Sequence, residues 1–305
     1  MSSQYSNRTI LGFETHSLTD GEVHVTIVPE LGGRVVSLRD KVSGREWLDG
    51  WMPAARRRMW QPTDPANYET GPGAGLDECL PTVLPCVVNG QSLPDHGDLW
   101  NQAAEMDHGL SAAGILACRW VRLSLPLGFE RRISLQNATV QFDYRLENLS
   151  NKSTPFQWAW HPLFTWKPGD EIKFGPEVNR CQTPDGQPLA WPQPEPGRDL
   201  SRALFAEGTD QASKVFVGPL TKGTVEIFTG EGARMAICWP AEMFPYAGIW
   251  ITRGFWRGLH HWAIEPTNAP VDRLSDVPKS IGPSLWMLEP GEVREWRVAV
   301  RFPRD

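Results

Sequence analysis

The sequence predicts an all-β protein built as one large antiparallel β-sandwich with little helix. Short runs of alternating apolar and polar residues, about fifteen in all, recur along the whole chain and are separated by turns rich in Gly, Pro and Asn. Such regularly spaced short strands are typical of sandwiches and barrels. The runs continue without a linker, and no repeat of roughly 20–50 residues suggests a propeller. We therefore predict a single domain over residues 1–305.

The first elements are predicted to be antiparallel strands. Glu22–Pro29 alternates apolar and polar residues, and a Gly-Gly turn leads into a second strand within Leu31–Leu38. Asp40–Trp47 then predicts a hairpin loop that leads into a third strand. Arg34 follows the glycine pair, which lets the backbone approach a neighbouring group closely. This arginine is a candidate for ligand binding, although a Gly-Gly turn needs no ligand to explain it.

A long irregular segment follows these strands. Gly50–Pro94 is rich in Pro, Gly and Trp and has no hydrophobic periodicity, and long irregular segments within a compact domain are usually functional loops. It contains the basic run Arg56–Arg58, which is either a solvated turn or a contact for an anionic substituent of a ligand. It also contains two adjacent acids, Asp77 and Glu78, which are either solvated or bind a ligand.

The rest of the chain returns to strand patterns. Between Gly114 and Asn148, three alternating runs joined by short turns predict an antiparallel meander. Lys167–Gly218 is again rich in Pro and Gly, with one short helix predicted at Leu200–Glu207. The later predicted strands are Thr224–Thr229, Arg234–Trp239, Gly248–Thr252, His260–Pro266, Ser284–Leu288 and Glu292–Phe302.

The composition excludes several classes of function. The formal net charge is −6 and the pI is about 5.7, which argues against nucleic acid because phosphate contacts need a concentrated positive surface. The five cysteines are scattered and form no Cys-x-x-Cys pair, so no zinc ribbon or redox motif is predicted. The N-terminus lacks the apolar stretch of a signal peptide, and no window is apolar enough to span a membrane. We expect a cytoplasmic monomer or homodimer that binds neither nucleic acid nor membrane.

A single histidine lies within the aromatic-rich segment Phe156–Trp166. If this segment is extended, successive side chains alternate between faces, so His161 points one way while Trp158 and Trp160 point the other. A lone histidine in an apolar strand is most often a hydrogen-bonded core residue. A functional role for His161 therefore depends on which other groups the fold brings to it. The 15 tryptophans of the chain favour a carbohydrate among the ligands to consider, because indole faces also stack on sugar rings.

Two other segments supply groups that could meet this histidine. His96 precedes a glycine at a predicted turn, which leaves its imidazole accessible. In the strand predicted at residues 260–266, Trp262 faces the core while Glu265 faces the other side, at the strand end. Together with His161, these side chains provide two imidazoles and one carboxylate. That set is sufficient for general acid–base catalysis on a hydroxyl and an ether oxygen.

Other chemistries are compatible with the same residues. A glycosidase needs two opposed carboxylates, and Asp77 or Glu78 with Glu265 would supply them. A His/His/Glu metal site is an alternative, but no two histidines have the spacing of a known zinc motif. A serine hydrolase is not predicted, because no Gly-x-Ser-x-Gly occurs.

Four motifs give the chain a resemblance to the aldose 1-epimerases, also called galactose mutarotases, and to their wider mutarotase-like group. The motifs are Leu31-Gly32-Gly33-Arg34-Val35, Asp95-His96-Gly97, His161-Pro162-Leu163-Phe164 and Ile264-Glu265-Pro266. The loop Gly75–Thr82 is similar to a loop found in a bacterial branch of that group. The resemblance implies a β-supersandwich with an open groove for a free sugar, and an isomerase that needs no cofactor.

The resemblance also implies roles for three side chains. Glu265 would take the proton from the anomeric hydroxyl while His161 protonates the ring oxygen, which opens the pyranose. Rotation about the C1–C2 bond and reclosure would then interchange the α and β anomers, and His96 would hydrogen-bond the ring oxygen or a neighbouring hydroxyl. Unperturbed pKa values of about 6.5 for imidazole and about 4.3 for a carboxylate let a neutral-pH site hold one acid and one base.

The sequence departs from the family pattern at the sugar-binding positions. The Asn-Arg-Ile motif that carries a sugar-binding arginine in the galactose enzymes is missing from the expected region, and the aspartate that clamps sugar hydroxyls cannot be placed. The identity of the sugar is therefore not predicted, and a carbohydrate-binding or sugar-sensing protein without turnover stays an alternative. The predicted substrate-binding residues are Arg34, Asp77, Glu78, Trp160 and Trp250, and no metal site is predicted.

Overall fold

The computed structural model describes residues 3–48, 50–51, 68, 71, 73–203, 212–256 and 258–304. Strands make up 49% of the structure and helix 5%, which confirms the predicted all-β class. The strands in chain order are β1 (Gln4–Ile10), β2 (Phe13–Thr19), β3 (Val23–Val28), β4 (Arg34–Asp40), β5 (Gly75–Cys79), β6 (Cys86–Val88), β7 (Gln91–Leu93), β8 (Glu105–Met106), β9 (Leu116–Trp120), β10 (Leu127–Gln136), β11 (Thr139–Asn148), β12 (Thr154–Pro155), β13 (Ala159–Thr165), β14 (Glu171–Lys173), β15 (Arg180–Gln182), β16 (Pro188–Ala190), β17 (Ala212–Val217), β18 (Gly223–Phe228), β19 (Arg234–Trp239), β20 (Tyr246–Arg253), β21 (His260–Thr267), β22 (Met287–Leu288) and β23 (Val293–Arg301).

Helical structure is short within these residues. It comprises α1 (His108–Ala112) and three 3₁₀ turns at Pro29–Leu31, Leu274–Asp276 and Pro283–Leu285. Asp107 caps α1, because its side chain accepts hydrogen bonds from the backbone N–H groups of Gly109 and Leu110. None of the helices in the described part of the chain has the length and apolar character needed to cross a bilayer.

Two large antiparallel sheets form the sandwich. In the described residues the first sheet has 11 strands, in the order β1-β2-β3-β4-β5-β13-β21-β20-β17-β15-β16, and the second has 8, in the order β14-β18-β19-β23-β11-β10-β9-β8. Two small two-stranded sheets pair β12 with β22 and β6 with β7. The predicted meander is confirmed, since β9, β10 and β11 are neighbours in the second sheet.

The main core lies between the two sheets and is dominated by aromatic rings. Along β10 and β11, buried residues alternate with more exposed ones, as expected for strands with one face in a core and one in water. Phe129, Tyr144, Trp158 and Trp296 pack against one another, with neighbouring ring centroids 5.1–6.2 Å apart. These contacts give much of the tryptophan content a structural role, because aromatic pairs bury large apolar areas.

The strands in the middle of the first sheet are buried on both faces. In β13 and β21 nearly every residue is buried. One face packs on the aromatic core, and the other is covered by loops that surround a cavity. Polar side chains on this second face are therefore withdrawn from bulk water without entering the apolar core.

Near the N-terminus, β1 and β2 are not predicted from the sequence, and one predicted strand does not form. The sequence pattern gives no signal for β1, because this edge strand is largely exposed and lacks a buried face. The segment after β4 does not enter a third strand as predicted. It turns back on β4, where Glu46 pairs with Arg39 through an isolated β-bridge, and the Glu46 carboxylate accepts from the Ser37 hydroxyl and the Leu38 N–H.

The helix predicted at Leu200–Glu207 is wrong over its described part. Residues 200–203 contain a turn, and Arg202 pairs with Glu171 through an isolated β-bridge. Residues 204–207 lie outside the described residues. The basic run Arg56–Arg58 also lies outside them, so its two alternative roles stay as predicted from the sequence.

Candidate active site

Three neighbouring strands of the first sheet carry a row of polar side chains. Antiparallel pairing places Asp77 of β5 opposite His161 of β13. On the other side of β13, residues 159 and 163 pair with residues 267 and 263 of β21, so His161 and Glu265 occupy matching positions. Cross-strand neighbours on one face of a sheet lie within reach of each other. The pairing therefore brings together an Asp, a His and a Glu from distant parts of the sequence.

The two ring nitrogens of His161 have different surroundings. Its Nδ1 lies 3.1 Å from Asp77 Oδ1 and 3.4 Å from the hydroxyl of Tyr68. Its Nε2 lies 4.0 Å from Glu265 Oε1. An imidazole that donates to a carboxylate through Nδ1 presents Nε2 for proton transfer.

The charge of Asp77 fixes this orientation. Its Oδ2 accepts a hydrogen bond from the guanidinium of Arg34 at 2.5 Å. Burial alone raises the pKa of Asp77, but the Arg34 charge and the His161 hydrogen bond outweigh burial and lower the pKa to about 2. Asp77 is therefore ionised at neutral pH and can only accept, so His161 Nδ1 must carry the proton that the two groups share.

Glu265 faces the cavity with one free carboxylate oxygen. The ammonium group of Lys214 donates to Oε2, whereas Oε1 is buried without a hydrogen-bond partner among the described residues. Burial by itself raises the pKa of Glu265. The positive charge of Lys214, followed by that of His161, lowers the pKa by more than burial raises it, so the net pKa lies below its ordinary value. Glu265 is therefore ionised at neutral pH and can accept a proton at Oε1.

A glycine makes room for this carboxylate. Gly248 of β20 lies directly opposite Glu265 in the sheet. A Cβ at this position would lie 2.9 Å from Glu265 Oε2 and 3.1 Å from Cε of Lys214. Because both groups would have to shift, glycine at this position allows the Glu265–Lys214 pair to form against the strand.

His96 reaches the same place from the loop after β7, and its backbone is strained. Its φ is 55°, a left-handed conformation that is uncommon for residues other than glycine. The loop is fastened on both sides of it, since His96 N donates to Val83 O at 2.6 Å and Asp98 N donates to Leu80 O at 2.7 Å. Strain of this kind persists only where the surrounding structure holds it, and it is common at functional sites.

The imidazole of His96 is placed by its ring contacts. It stacks on Tyr68 with ring centroids 3.6 Å apart, and its centroid lies 5.0 Å from that of His161. Its Nδ1 lies 2.9 Å from Asp95 Oδ1. Burial lowers the pKa of His96 more than the Asp95 carboxylate raises it. The ring is therefore neutral at pH 7 and serves as a hydrogen-bonding group.

His96, His161, Lys214 and Glu265 line an open cavity of about 370 Å³, a size within the range of small-molecule sites. Aromatic side chains line other parts of it. The rings of Trp250 and Trp256 meet edge to face with centroids 5.6 Å apart, and Phe255 is 65% exposed. Aromatic surface next to carboxylates and imidazoles suits a ligand with apolar faces and hydroxyl edges, as a sugar has.

The predicted substrate-binding residues have different positions in the structure. Trp250 lines the cavity. Arg34 and Asp77 lie behind His161, where they hold its ring instead of lining the cavity. Arg34 is fully buried, and its second guanidinium nitrogen donates to Ala74 O at 2.5 Å.

Glu78 and Trp160 do not lie in the groove as predicted. They face each other across β5 and β13, on the side opposite His161. Glu78 accepts hydrogen bonds from Arg131 at 2.9 and 3.0 Å and from the Tyr144 hydroxyl at 2.9 Å. Trp160 is fully buried and packs edge to face on Phe142. Both residues belong to the core between the sheets.

The carboxylate pairs considered for a glycosidase are therefore not formed. Glu78 is separated from Glu265 by the sheet itself. Asp77 is bound by Arg34 and by His161, so neither of its oxygens faces Glu265 across the cavity.

Sequence reasoning misses three polar residues of the site. Lys214 binds Glu265 and lies 3.5 Å from Asp272 Oδ1, and Tyr68 stacks on His96. Burial lowers the pKa of Lys214, but the two carboxylates outweigh it and raise the pKa above its ordinary value, so Lys214 is charged. The apolar run Val215-Phe216-Val217 is the one sequence signal for β17, the strand that carries Lys214. It lies within a segment whose Pro and Gly content hides it.

The fold is that of galactose mutarotase-like proteins. Slr1438 protein from Synechocystis sp. PCC 6803 superposes with a TM-score of 0.71 at 14% identity, covering 100% of this chain and 97% of that one. A galactose mutarotase related enzyme from Lactobacillus acidophilus superposes with a TM-score of 0.67 at 16% identity, covering 95% and 97%. A galactose mutarotase-like protein from Clostridium acetobutylicum gives 0.67 at 14% identity, covering 100% and 99%. No protein-family profile and no curated protein matches the sequence.

Proposed function

We propose that the protein is an aldose 1-epimerase, an isomerase that interconverts the α and β anomers of a free sugar. The observation that carries this proposal is the placement of His161 Nε2 and Glu265 Oε1, 4.0 Å apart at one cavity. The hydroxyl oxygen and the ring oxygen of a pyranose are bonded to the same carbon, C1. An acid and a base that act on both must therefore approach from adjacent positions, as these two groups do.

The proposed reaction needs two proton transfers. Glu265 Oε1 takes the proton of the C1 hydroxyl, and His161, in its protonated form, donates from Nε2 to the ring oxygen. The bond between C1 and the ring oxygen breaks, which leaves an open-chain aldehyde, a protonated Glu265 and a neutral His161. After rotation about C1–C2, the reverse transfers close the ring as the other anomer and restore both groups.

The surrounding residues support these roles. Asp77 holds the His161 ring through Nδ1, and Lys214 keeps Glu265 ionised at neutral pH. His96 is neutral and donates from Nδ1 to Asp95, so its Nε2 would accept a hydrogen bond from a sugar hydroxyl. Each proton transfer of this kind typically contributes about 10²–10⁴ in rate, and the reaction already proceeds unaided in water.

Magnetisation-exchange NMR on a panel of hexoses and pentoses tests the proposal. We expect at least one sugar to interconvert faster than in buffer, and we expect Glu265→Gln and His161→Gln each to lower that rate by about 10²–10⁴. Glu231→Gln is the matched control, because Glu231 is 66% exposed and pairs with Lys167.

Two outcomes would contradict the proposal. One is that no sugar in the panel interconverts faster than in buffer, and the other is that both variants keep the full rate. Saturable sugar binding without acceleration would support the alternative of a carbohydrate-binding or sugar-sensing protein.

A further inference from the structure

Cys79 lies against the two histidines of the candidate site, and the proposed reaction does not use it. The thiol is fully buried and forms no disulfide. The Cys79 Sγ atom and one ring nitrogen from each of His96 and His161 all lie within 4.8 Å of one another. Thiolate sulfur and imidazole nitrogen are the ligands preferred by Zn²⁺ and chemically similar ions.

Both imidazoles are oriented as metal ligands usually are. Nδ1 of His96 lies 2.9 Å from Asp95 Oδ1, and Nδ1 of His161 lies 3.1 Å from Asp77 Oδ1. A carboxylate on one ring nitrogen fixes the tautomer and leaves Nε2 available to bind an ion. Two such carboxylate–histidine pairs beside one buried thiol are more than the proposed acid–base reaction requires.

The ligands are also fixed relative to one another. Cys79 ends β5, and the next residue, Leu80, forms an isolated bridge with Gly97, which follows His96. His161 lies on β13, the strand that pairs with β5. All three side chains therefore project from one rigid unit, which limits the ordering that an ion would have to impose.

We propose that Cys79, His96 and His161 form a site for a thiophilic transition-metal ion of the Zn²⁺ class at the wall of the cavity, where the two histidines line the cavity and Cys79 is fully buried. Bond lengths of about 2.0–2.3 Å in a tetrahedral zinc site place ligand atoms roughly 3.3–3.8 Å apart. Side-chain movements of about 1 Å would bring the three atoms to that spacing. A water, a sugar oxygen or Glu265 Oε1 would take the fourth position, since the last lies 4.0 Å from His161 Nε2 and has no partner among the described residues.

Binding would change the protonation of the site. Burial, and then Asp77 and Glu265, raise the pKa of the Cys79 thiol well above its ordinary value, so without metal the residue is a neutral, unreactive thiol. As the sulfur–metal bond forms, the thiol proton leaves to solvent. The ion would also take the nitrogen with which His161 donates its proton. Metal binding and ring opening would therefore exclude each other, a consequence that rests on the proposed function.

Cobalt(II) titration of the chelator-treated protein tests the site without any sugar. Wild type is expected to give the visible bands of four-coordinate cobalt and a near-ultraviolet thiolate-to-cobalt charge-transfer band, and zinc should abolish both. Cys79→Ser should lose the charge-transfer band and bind cobalt roughly tenfold or more weakly. Cys181→Ser is the control, because Cys181 is buried elsewhere and its Sγ contacts Ala190 O at 3.5 Å, so its spectrum should match wild type.

The result that would overturn the site is a cobalt spectrum without a charge-transfer band, or one that Cys79→Ser leaves unchanged. Circular dichroism of the variant excludes unfolding as the cause of a loss. Mutarotation is measured separately in chelator and then with saturating zinc. Inactivity in chelator would count against the proposed function and leave the spectroscopic result standing. A mutarotation rate that zinc does not lower would show that metal binding and ring opening do not exclude each other.

Discussion

At the scale of single residues, the state of Glu265 depends on the charge beside it. The carboxylate is 1% exposed, and burial would by itself favour its protonated form. The ammonium group of Lys214 reverses that preference by binding one carboxylate oxygen. Lys214 thus determines the pH range over which the proposed base can accept a proton.

Lys214→Met should move the acidic limb of the pH–rate profile to higher pH. Glu265 accepts a proton only when it is ionised. The rate of mutarotation is therefore high above the pKa of Glu265 and decreases as the pH falls through that pKa. Without Lys214, burial raises the pKa of Glu265, and the loss begins at higher pH. The measurement is kcat/KM against pH in chelator, with Lys222→Met, an exposed lysine, as the control. An acidic limb that stays in place would show that Lys214 does not set the ionisation of Glu265.

Some residues of the candidate site could be predicted from the sequence and others could not. His161, His96 and Glu265 each lie in a short recognisable motif, and the structure brings them together as expected. The roles of Asp77 and Glu78 could not be separated in advance. They are adjacent, and which one lies on the same face of the sheet as His161 depends on the register of β5 against β13, which no local pattern encodes.

At the scale of elements, the loop that carries His96 is fitted closely to the end of β5. Gly97 has a φ of 71°, and a Cβ there would lie 2.1 Å from Leu80 O. The bridge between Leu80 and Gly97 therefore requires glycine. This close approach determines the position of His96 over the cavity.

Gly97→Ala should lower the rate of mutarotation, an effect that goes beyond any loss of stability. The added methyl group would push the loop from β5 and displace His96, and a misplacement of about 1 Å can cost roughly 10²-fold in rate. Gly90→Ala is the matched control. Gly90 also has a positive φ, of 81°, but a Cβ there meets nothing within 4 Å, so the expected cost is about 1–2 kcal/mol of stability with no change in rate. Equal effects of the two substitutions on mutarotation would contradict this account of the loop.

Element prediction succeeded where one face of a strand is buried and the other is wet. β10 and β11 show clean alternation and lie within the meander predicted between Gly114 and Asn148. β1 is missed because it lies at the sheet edge with little buried surface. β5 is missed because its five residues are all buried, so alternation is absent and the surrounding Gly and Pro dominate the pattern.

At the scale of the whole molecule, a buried ion pair joins the two sheets behind the site. Glu78 belongs to β5 of the first sheet and Arg131 to β10 of the second, and the side chains are 1% and 0% exposed. Arg131 also donates to Gly33 O. The pair therefore couples the strand that carries Asp77 and Cys79 to the opposite layer of the sandwich.

Arg131→Met should destabilise the fold by roughly 3–5 kcal/mol, because it leaves the Glu78 carboxylate buried without its partner. Adding Glu78→Leu should recover much of that loss, since two apolar side chains of similar size can replace a buried pair. Urea unfolding of wild type, the single variant and the double variant measures both values. A single variant as stable as wild type would show that the pair does not hold the sheets together.

The free energy of unfolding should also decrease as the pH falls, because His261 is buried as a neutral imidazole. The residue is 4% exposed, and burial, followed by repulsion from His260, lowers its pKa from 6.5 to about 4. The unfolded chain therefore binds the proton more readily, and stability is lost as the pH falls from about 7 towards 4. At about 1.4 kcal/mol per pKa unit, the full loss is roughly 3 kcal/mol.

The measurement is the free energy of unfolding of wild type and His261→Gln between pH 7 and pH 4. The difference between the two proteins should narrow as the pH falls, because only wild type loses the contribution of a neutral His261. His108→Gln, at an exposed histidine, should follow wild type. Parallel pH dependences for wild type and His261→Gln would contradict the burial argument.

A crystal structure of the protein with a free sugar bound would test the geometry proposed for ring opening. We expect the sugar in the cavity beside Trp250, with its C1 hydroxyl in hydrogen-bond distance of Glu265 Oε1 and its ring oxygen in hydrogen-bond distance of His161 Nε2. A sugar bound with C1 directed away from these two groups, or bound elsewhere on the molecule, would contradict it.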